Sequence, residues 1–554
     1  MTKLKIGITV RIDGRSEIVQ SVSRAISSGF KYLEVLLSNP ETVNTGDMQA
    51  LFELSRLTNV FISFHFPVTI VNLTGLGQGS FSEVRRDEDL RRAFQIISLA
   101  SRLRIGGPIT VHGDLYNRPL FDMADGMFQL SGSEPAETSH YFIDQRTGRP
   151  IGVIGETETV EIPIQAIDEQ GNLLWINTPD GDPLISEITG ERIPVQATDS
   201  SGIPQVQRVI FSEYRQQIAG QGGRKKADKI AFELFRQQQL ARMSLGYLRI
   251  RERERLSKLG AERLERLRET DTYADKISKN LPPSDRWREE RLVADRLNSL
   301  NIPVPGQLDT VQNILRVEIM NTQREMAESI EASNTERRQI NDILEALKNA
   351  RTVSDLALDR ASDSFAKLGK YALDCSKGCR RPLVISIENM FPPRYASLAD
   401  EVIELVSLSR EKMAYSLRKE GYSREEAKES ARTHLKATLD PAHLNLFYAF
   451  LTDGSENRTD FFNDWLVNQC MKLLQQDGLV SMIHLSDNDG YSDSHATLGA
   501  ASIPYQRLLK VIEQTGFQGP VILETGRSGN YLDDLRYLGI LPQDNSTGKE
   551  EKYL

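Results

Sequence analysis

The stretch Leu383–Ile387 reads Leu-Val-Ile-Ser-Ile and is followed at once by Glu388. A short, β-branched apolar run of this kind predicts a buried strand rather than a helix. Seven comparable runs occur elsewhere in the chain, four of them before residue 114. The eight runs are Leu4–Val10, Tyr32–Leu37, Val60–Phe66, Pro108–His112, Leu383–Ile387, Ala437–Leu439, Val480–Leu485 and Val521–Leu523.

Amphipathic segments separate the early runs, at Ser16–Ser28, Asp47–Leu57 and Asp87–Leu103. Strands that alternate with helices predict βαβ units and a parallel sheet. Eight parallel strands with helices between them is the number that closes a barrel. The sequence therefore predicts an α/β protein with a (β/α)8 TIM barrel.

This barrel pattern is interrupted once, between its fourth and fifth strands. Residues 114–220 are rich in Gly, Pro, Asp and Thr, with short β runs that predict hairpins. Residues 221–353 are dense in Arg, Glu, Gln, Leu and Ala, and Ile319, Met326, Ile340 and Leu347 share a seven-residue spacing. That spacing predicts a helical, coiled-coil-like arm. We expect barrel halves at 1–113 and 354–540 and a disordered tail at 541–554.

Composition narrows the class of protein further. The 554 residues are 39% hydrophobic and 26% charged, with a net charge of −9, which indicates a globular chain. No run approaches the 18 or more apolar residues of a membrane span, so we expect no membrane partner. The three cysteines cannot form a disulfide framework, and the N-terminus has no signal-peptide pattern. We therefore expect a cytoplasmic protein.

Ligand-type side chains stand at the carboxyl ends of six of the runs or in one adjoining loop. In a barrel these ends converge on one axis, so residues far apart in sequence meet there. Four carboxylates buried together need cations, and mixed imidazole and carboxylate ligands suit zinc, with manganese or iron as alternatives. Nine ligands exceed the needs of one ion and predict two or three. They are His65, His112, Glu388, Asp440, His443, His484, Asp493, His495 and Glu524.

The motifs around these residues resemble those of the endonuclease IV family (AP endonuclease family 2) of xylose-isomerase-like TIM barrels. The resemblance covers residues 1–113 and 354–540, and the motifs stand in the family's order. They are His65-Phe-Pro-Val-Thr-Ile-Val-Asn-Leu, Asp440-Pro-Ala-His, His484-Leu-Ser-Asp, Asp493-Ser-His and Leu523-Glu-Thr.

The resemblance implies three divalent ions, zinc first among them, that activate a hydroxide to attack a phosphodiester of DNA or another nucleic acid. Glu388, Glu524 and Asp440 would be the catalytic carboxylates. One ion would be held by His65, His112 and Glu388, with Glu388 bridging to a second. The second would be held by Asp440, His484 and Glu524, and the third by His443, Asp493 and His495.

The substrate-contacting loops depart from the family's pattern, although the ligands do not. Val68 stands where the family has an aromatic residue that helps distort abasic DNA, and Ser494 replaces the arginine of Asp-Arg-His. Glu41 stands where an arginine is expected after the second strand. Arg394 and Arg527 follow ligand-bearing strands and are expected phosphate contacts, with surface ion pairing as the alternative.

The inserted arm is locally basic. Residues 221–300 hold 20 Lys and Arg against 13 Asp and Glu. Such a surface could follow a phosphate backbone, or the arm could form a homodimer through its heptads. Interleaved acids, as in Arg251-Glu-Arg-Glu-Arg, are equally typical of a solvated helix with i,i+4 ion pairs.

Two other functions remain open from the sequence. A sugar isomerase or epimerase of the wider barrel superfamily would need one divalent ion, for which Glu388, Asp440, His484 and Glu524 suffice. The five other ligand-type residues are then unexplained. A non-catalytic assembly protein could use only the helical arm, but it would have no need of nine ligands.

Overall fold

The fold is described from a computed structural model of the chain. The structure describes residues 4–12, 18–37, 43–67, 73–77, 80–117, 139–177, 192–200, 203–220, 227–282, 284, 286–303, 308–450, 458–525 and 531–541. The expected tail at 541–554 lies outside this range apart from its first residue. Among the described residues, no helix is long and apolar enough to cross a membrane.

Eight parallel strands close into a barrel, as the sequence predicted. Around the barrel the order is β1-β13-β12-β11-β10-β4-β3-β2, so the fourth strand pairs with the first strand after the insertion. The barrel strands are β1 (Lys5–Ile12), β2 (Tyr32–Leu37), β3 (Phe61–His65), β4 (Gly107–His112), β10 (Leu383–Glu388), β11 (Leu435–Leu439), β12 (Val480–Leu485) and β13 (Pro520–Leu523).

Helices surround the barrel and bury an apolar face against it. On α8, for example, Leu356, Phe365 and Leu368 are buried in the same core as the strands. The helices of this unit are α1 (Ile18–Ser27), α2 (Thr45–Thr58), α3 (Glu83–Arg102), α8 (Val353–Cys375), α9 (Ala399–Lys419), α10 (Arg424–His434), α11 (Pro441–Asn445), α12 (Arg458–Leu474), α13 (Tyr505–Gln514) and α14 (Tyr531–Tyr537), with a 3-10 helix at Leu446–Phe450.

Local sequence signals account for where several of these elements begin. Asn44 caps α2 by accepting a hydrogen bond from the Asp47 amide at 2.9 Å, and Ser423 caps α10 in the same manner. Gly106 precedes β4 with φ +74°, where a side chain would stand 1.8 Å from the backbone oxygen of Arg381. Glycine is therefore required at this junction between α3 and the barrel.

The insertion begins with short antiparallel pairings outside the barrel. Strands β5 (Ser139–Asp144) and β6 (Pro150–Gly155) form a hairpin that β9 (Ala350–Thr352) extends to three strands. A second pair joins β7 (Thr159–Pro163) and β8 (Val206–Ile210). These pairings agree with the expected hairpins.

Two helices of the insertion, α5 (Ala227–Asn280) and α7 (Leu308–Asn349), are long and pack as an antiparallel pair. The shorter helices of this part are α4 (Phe211–Gly220) and α6 (Trp287–Ser299). Gly246 of α5 faces Ile340 of α7, and Gly260 of α5 faces Met326 of α7. Residue numbers therefore increase in opposite directions along the two helices, which makes the pair antiparallel. The four residues with seven-residue spacing, Ile319, Met326, Ile340 and Leu347, all lie on α7. Arg263 pairs with Glu318 across the helices at 2.9 Å. Along α5, the exposed Lys279 pairs with Asp275 four residues earlier at 2.6 Å, which is the i,i+4 ion pairing considered above for a solvated helix.

Contacts divide the chain into two compact units. One contains residues 1–156, 226–228 and 351–554, and the other contains 157–225 and 229–350. The first unit is the barrel with the β5–β6 hairpin, and the second holds the β7–β8 pair and the long helices. The expected boundary at 220 between β-rich and helical insertions does not coincide with this division, because β7 and β8 contact the helical unit rather than the first hairpin.

Candidate metal centre

The barrel brings the predicted ligands of five separate strands to one end. His65 ends β3, His112 ends β4 and Glu388 ends β10, while His484 lies on β12 and Glu524 follows β13. All of these except His112 are buried. The parallel strands of a closed barrel all place their carboxyl ends at the same rim, which explains why these side chains converge.

A first cluster is formed around one oxygen of Glu388. The Nε2 atoms of His65 and His112 each lie 3.2 Å from Glu388 Oε2. The other ring nitrogen of His65, Nδ1, lies 2.7 Å from the backbone oxygen of Phe66, which orients the ring. One ligand atom from each of His65, His112 and Glu388 falls within 4.8 Å of the others, so this cluster can hold an ion.

A second cluster has four buried members and shares Glu388 with the first. Ligand atoms of Glu388, Asp440, His484 and Glu524 all lie within 4.8 Å of one another. His484 Nδ1 lies 2.8 Å from Glu388 Oε1 and 3.1 Å from Glu524 Oε2. Three carboxylates and one imidazole form a complete ligand set for a divalent cation.

Backbone geometry holds Asp440 in place. It caps the short helix α11, where its Oδ1 accepts a hydrogen bond from the Ala442 amide at 2.7 Å. Asn389 clamps it from the neighbouring strand, accepting from the Asp440 amide at 2.7 Å and donating to its carbonyl at 2.9 Å. The second carboxylate oxygen, Oδ2, is buried and accepts no hydrogen bond, with His443 Nε2 at 3.5 Å. A buried carboxylate oxygen that accepts no hydrogen bond and is part of a ligand cluster fits a bound cation.

The remaining predicted ligands, Asp493 and His495 on the loop after β12 and His443 on α11, approach one another less tightly. His495 Nε2 lies 3.3 Å and His443 Nε2 lies 3.7 Å from Asp493 Oδ2. These three residues do not appear among the described groups whose ligand atoms all lie within 4.8 Å of one another. Asp487 shapes this loop by accepting hydrogen bonds from the amides of Gly499 and three other residues. A third ion at this position remains a prediction.

Charge balance within the cluster depends on its histidines. Burial lowers the pKa of His65, yet neighbouring carboxylates, Glu388 first among them, outweigh it and raise this pKa to about 9. Burial raises the pKa of Asp440 to about 6. The pKa of Glu524 falls to about 2 because His484 outweighs the opposing effect of burial. Without cations, the buried carboxylates are neutralised by imidazolium, and a divalent ion would take over that neutralising charge.

Sequence reasoning missed one central residue, Glu34. It is fully buried on β2, and its Oε2 lies 3.0 Å from His484 Nε2. A single acid within the otherwise apolar run Tyr32–Leu37 was the available signal, since an isolated buried carboxylate needs a partner. Asn389 was also missed, although it directly follows the predicted ligand Glu388.

Of the two arginines predicted to contact phosphate, the structure describes Arg394 but not Arg527. Arg394 Nη1 donates to the buried Asp114 at 3.1 Å, so this guanidinium already has a carboxylate partner. Arg527, Val68 and Glu41 lie outside the described residues, so their roles remain predictions.

The fold and the site together define a closed (β/α)8 barrel with a buried His and carboxylate centre at its carboxyl end. Residues 332–541 match the family model described as "Xylose isomerase-like TIM barrel". This match covers less than half of the chain, but it includes seven of the nine predicted ligands, all except His65 and His112. It supports the wider barrel family and no narrower assignment to endonuclease IV.

Three solved structures are similar to the chain at low identity. A D-tagatose 3-epimerase-like protein is 12% identical with a TM-score of 0.39, over 97% of this chain and 95% of the other. A 3-keto-D-glucoside 4-epimerase from E. coli is 9% identical with a TM-score of 0.36, over 97% and 98%. An L-ribulose 3-epimerase is 8% identical with a TM-score of 0.37, over 99% and 89%. No curated protein matched the sequence.

Proposed function

We propose that the chain is an enzyme that isomerises or epimerises a sugar or a related hydroxy-carbonyl compound with one divalent ion. The observation that carries this proposal is the four-residue cluster of Glu388, Asp440, His484 and Glu524, which is complete, buried and compact. Its oxygen-rich composition suits Mn²⁺ or Mg²⁺ as well as zinc. The family match covers all four of these residues, together with His443, Asp493 and His495, and begins only after the strands that carry His65 and His112.

A divalent ion in this cluster would polarise the carbonyl and the adjacent hydroxyl of a substrate and acidify the carbon between them. The chain's own groups would then move the proton. Glu388 and Glu524 lie on either side of His484 Nδ1, and either can accept a proton at a carboxylate oxygen. His65 and His112 both present Nε2 to one oxygen of Glu388, where they can hold a proton for return to a substrate oxygen.

Burial favours this chemistry because competing water is excluded from most of the cluster. His484 and Glu388 have no exposed surface, whereas the side chain of His112 is 14% exposed and stands at the open edge. A substrate would therefore approach from the side of His112. Electrostatic interactions strengthen as water leaves such a site.

Phosphodiester hydrolysis is the second candidate, and a specific observation favours it. The cluster of His65, His112 and Glu388 can hold another ion, and two ions that share a carboxylate are typical of phosphodiester hydrolases. The resemblance to endonuclease IV would further require an ion at His443, Asp493 and His495.

Metal stoichiometry and proton exchange test the proposal together. Purified protein is dialysed against Mn²⁺ or Zn²⁺ and its metal content measured by elemental analysis, where one tightly bound ion per chain is expected. The loaded protein is then incubated in D₂O with a panel of aldoses and 2-ketoses, and deuterium entry beside the carbonyl is followed by NMR. Parallel incubations use abasic duplex, single-stranded DNA and a chromogenic phosphodiester.

Exchange with a sugar and no phosphodiester cleavage would support the isomerase. Two or three ions with cleavage of any phosphodiester, and no exchange, would replace it with the hydrolase. Glu524→Gln should lower the exchange rate by about 100- to 10,000-fold if this carboxylate serves in proton transfer. Glu156→Gln is the matched control, since Glu156 is also a buried acid paired with a histidine, His140, but lies outside the barrel sheet.

A further inference from the structure

Glu34 occupies the barrel interior beneath the proposed ion site. It has no exposed surface, and its two carboxylate oxygens face different neighbours. Thr110 Oγ1 donates a hydrogen bond to Oε1 at 2.7 Å, which satisfies one oxygen. The other, Oε2, lies 3.0 Å from His484 Nε2. Glu34 belongs to none of the ligand clusters found among the described residues, and it contacts the centre at His484.

The two nitrogens of His484 therefore have separate surroundings. Nδ1 faces the ligand oxygens of Glu388 and Glu524 at 2.8 and 3.1 Å, and Nε2 faces Glu34. A neutral imidazole that binds a cation uses the lone pair of one nitrogen and carries its proton on the other. Which nitrogen is free is set by the hydrogen bond that the other one makes.

We infer that Glu34 is a positioning residue that holds the proton of His484 on Nε2, so that the Nδ1 lone pair is presented to the ion. Glu34 Oε2 and His484 Nε2 lie 3.0 Å apart without hydrogen-bond alignment, so it is the negative charge of Glu34 beside Nε2 that favours this tautomer over the alternative. The inference rests on the metal centre proposed above. It adds a role for a residue that binds no ion itself.

Neighbouring groups leave His484 little freedom to find another arrangement. Its ring lies against that of His65 with centroids 5.7 Å apart and planes 26° apart, which restricts ring rotation. Glu34 is likewise anchored by Thr110, on β4, two strands away around the barrel. If Glu34 were removed, no carboxylate would face the buried Nε2, and the proton could move to Nδ1, where it would block the ion.

The test compares Glu34→Leu, which removes the acceptor, with Glu34→Gln, which keeps its shape and one acceptor oxygen. Mn²⁺ affinity is measured by calorimetry, and thermal unfolding of the metal-free protein is measured alongside. Loss of this partner should raise the Kd for Mn²⁺ by about 10- to 100-fold in Glu34→Leu, with partial recovery in Glu34→Gln. Ser386→Ala is the control, because Ser386 is equally buried inside the barrel and its hydroxyl lies 2.6 Å from each of the hydroxyl oxygens of Thr438 and Ser481 rather than near a ligand.

A spectroscopic readout separates positioning from simple packing. The chain has seven histidines, so selective ¹⁵N-histidine labelling gives a short list of signals to assign. In the Zn²⁺-loaded wild type, His484 should show a protonated Nε2 and a metal-bound Nδ1. In Glu34→Gln this signature should weaken or become heterogeneous, while Ser386→Ala keeps it.

The outcomes distinguish this inference from the proposed centre. A wild type that binds no ion overturns the metal centre and the inference with it. A wild type that binds an ion, with both Glu34 variants unchanged in Kd and in the His484 signature, overturns the inference alone. If Glu34→Leu does not fold, Glu34→Gln decides by the same two measurements.

Discussion

Replacing Glu388 by Gln is the most informative perturbation of the proposed centre. Glu388 is the one residue that both buried clusters share, and it has no exposed surface. Its Oε1 lies 2.8 Å from His484 Nδ1, and its Oε2 lies 3.2 Å from the Nε2 atoms of His65 and His112. The amide has nearly the same shape but no charge, and its NH₂ group must face a histidine nitrogen on one side.

The expected loss follows from the burial of these groups. Removing one partner from a buried charge interaction costs about 3–5 kcal/mol, which corresponds to about two to four powers of ten in the Kd of a bound ion. The metal-free protein should lose less stability, because the substitution also relieves repulsion between Glu388 and the carboxylates of Asp440 and Glu524. The effect is therefore expected mainly on the ion and on catalysis, and less on the fold.

Calorimetry with Mn²⁺ measures the affinity, and elemental analysis after dialysis gives the stoichiometry. Thermal unfolding of the metal-free wild type and variant shows whether the barrel persists. Glu156→Gln serves as the matched control, since it removes the same charge from a buried histidine pair, 3.1 Å from His140, outside the barrel sheet. If Glu388→Gln bound Mn²⁺ as tightly as Glu156→Gln does, Glu388 would not be a ligand and the assignment of both clusters would be wrong.

Three other predictions follow from the site and the fold. If the four-residue cluster is the ion site, Asp493→Ala and His495→Ala should leave the number of tightly bound ions unchanged and shift the Kd of the ion by less than about tenfold. Loss of one ion per chain, measured by elemental analysis, would instead favour the three-ion hydrolase. Gly106→Ala should lower the free energy of unfolding by more than about 1–3 kcal/mol in chemical denaturation, because backbone strain at φ +74° adds to a clash with the Arg381 carbonyl. Gly29→Ala is the control, since Gly29 has φ +90° but open space around it and should show the strain alone. Equal losses of stability in the two variants would contradict the clash. Removal of the ion by a chelator should lower the unfolding temperature by several degrees, because a free ion concentration of about 100 times the Kd adds about 3 kcal/mol to the free energy of unfolding. An unchanged unfolding temperature in scanning calorimetry would argue against a bound ion.

Much of the barrel was predictable because its signals are local. All eight strand runs were placed within a few residues of their observed bounds, since buried parallel strands require short β-branched segments between amphipathic helices. The position of the insertion, between β4 and β10, followed from the point where that alternation stops. The division of the insertion into two units was not predictable, because the sequence of a β-hairpin does not determine which unit the hairpin packs against.

The candidate ligands were predictable for a related reason. His65, His112 and Glu388 stand at strand ends, and a barrel turns that linear position into a shared location. How tightly they approach one another depends on loop geometry, and the loop of Asp493 and His495 comes out looser than the strand-borne residues.

By itself, the sequence determined the closed barrel and the set of imidazoles and carboxylates that meet at its carboxyl end. Both depend on periodicity and on position within a strand, which each segment carries locally. The resemblance already implied that Glu388 bridges two ligand groups, and only the tertiary structure decided how closely these groups approach one another and that Glu34 stands beside His484 Nε2. Those relations join β2, β10 and β12, whose mutual distances are set by barrel closure and side-chain packing rather than by any one segment.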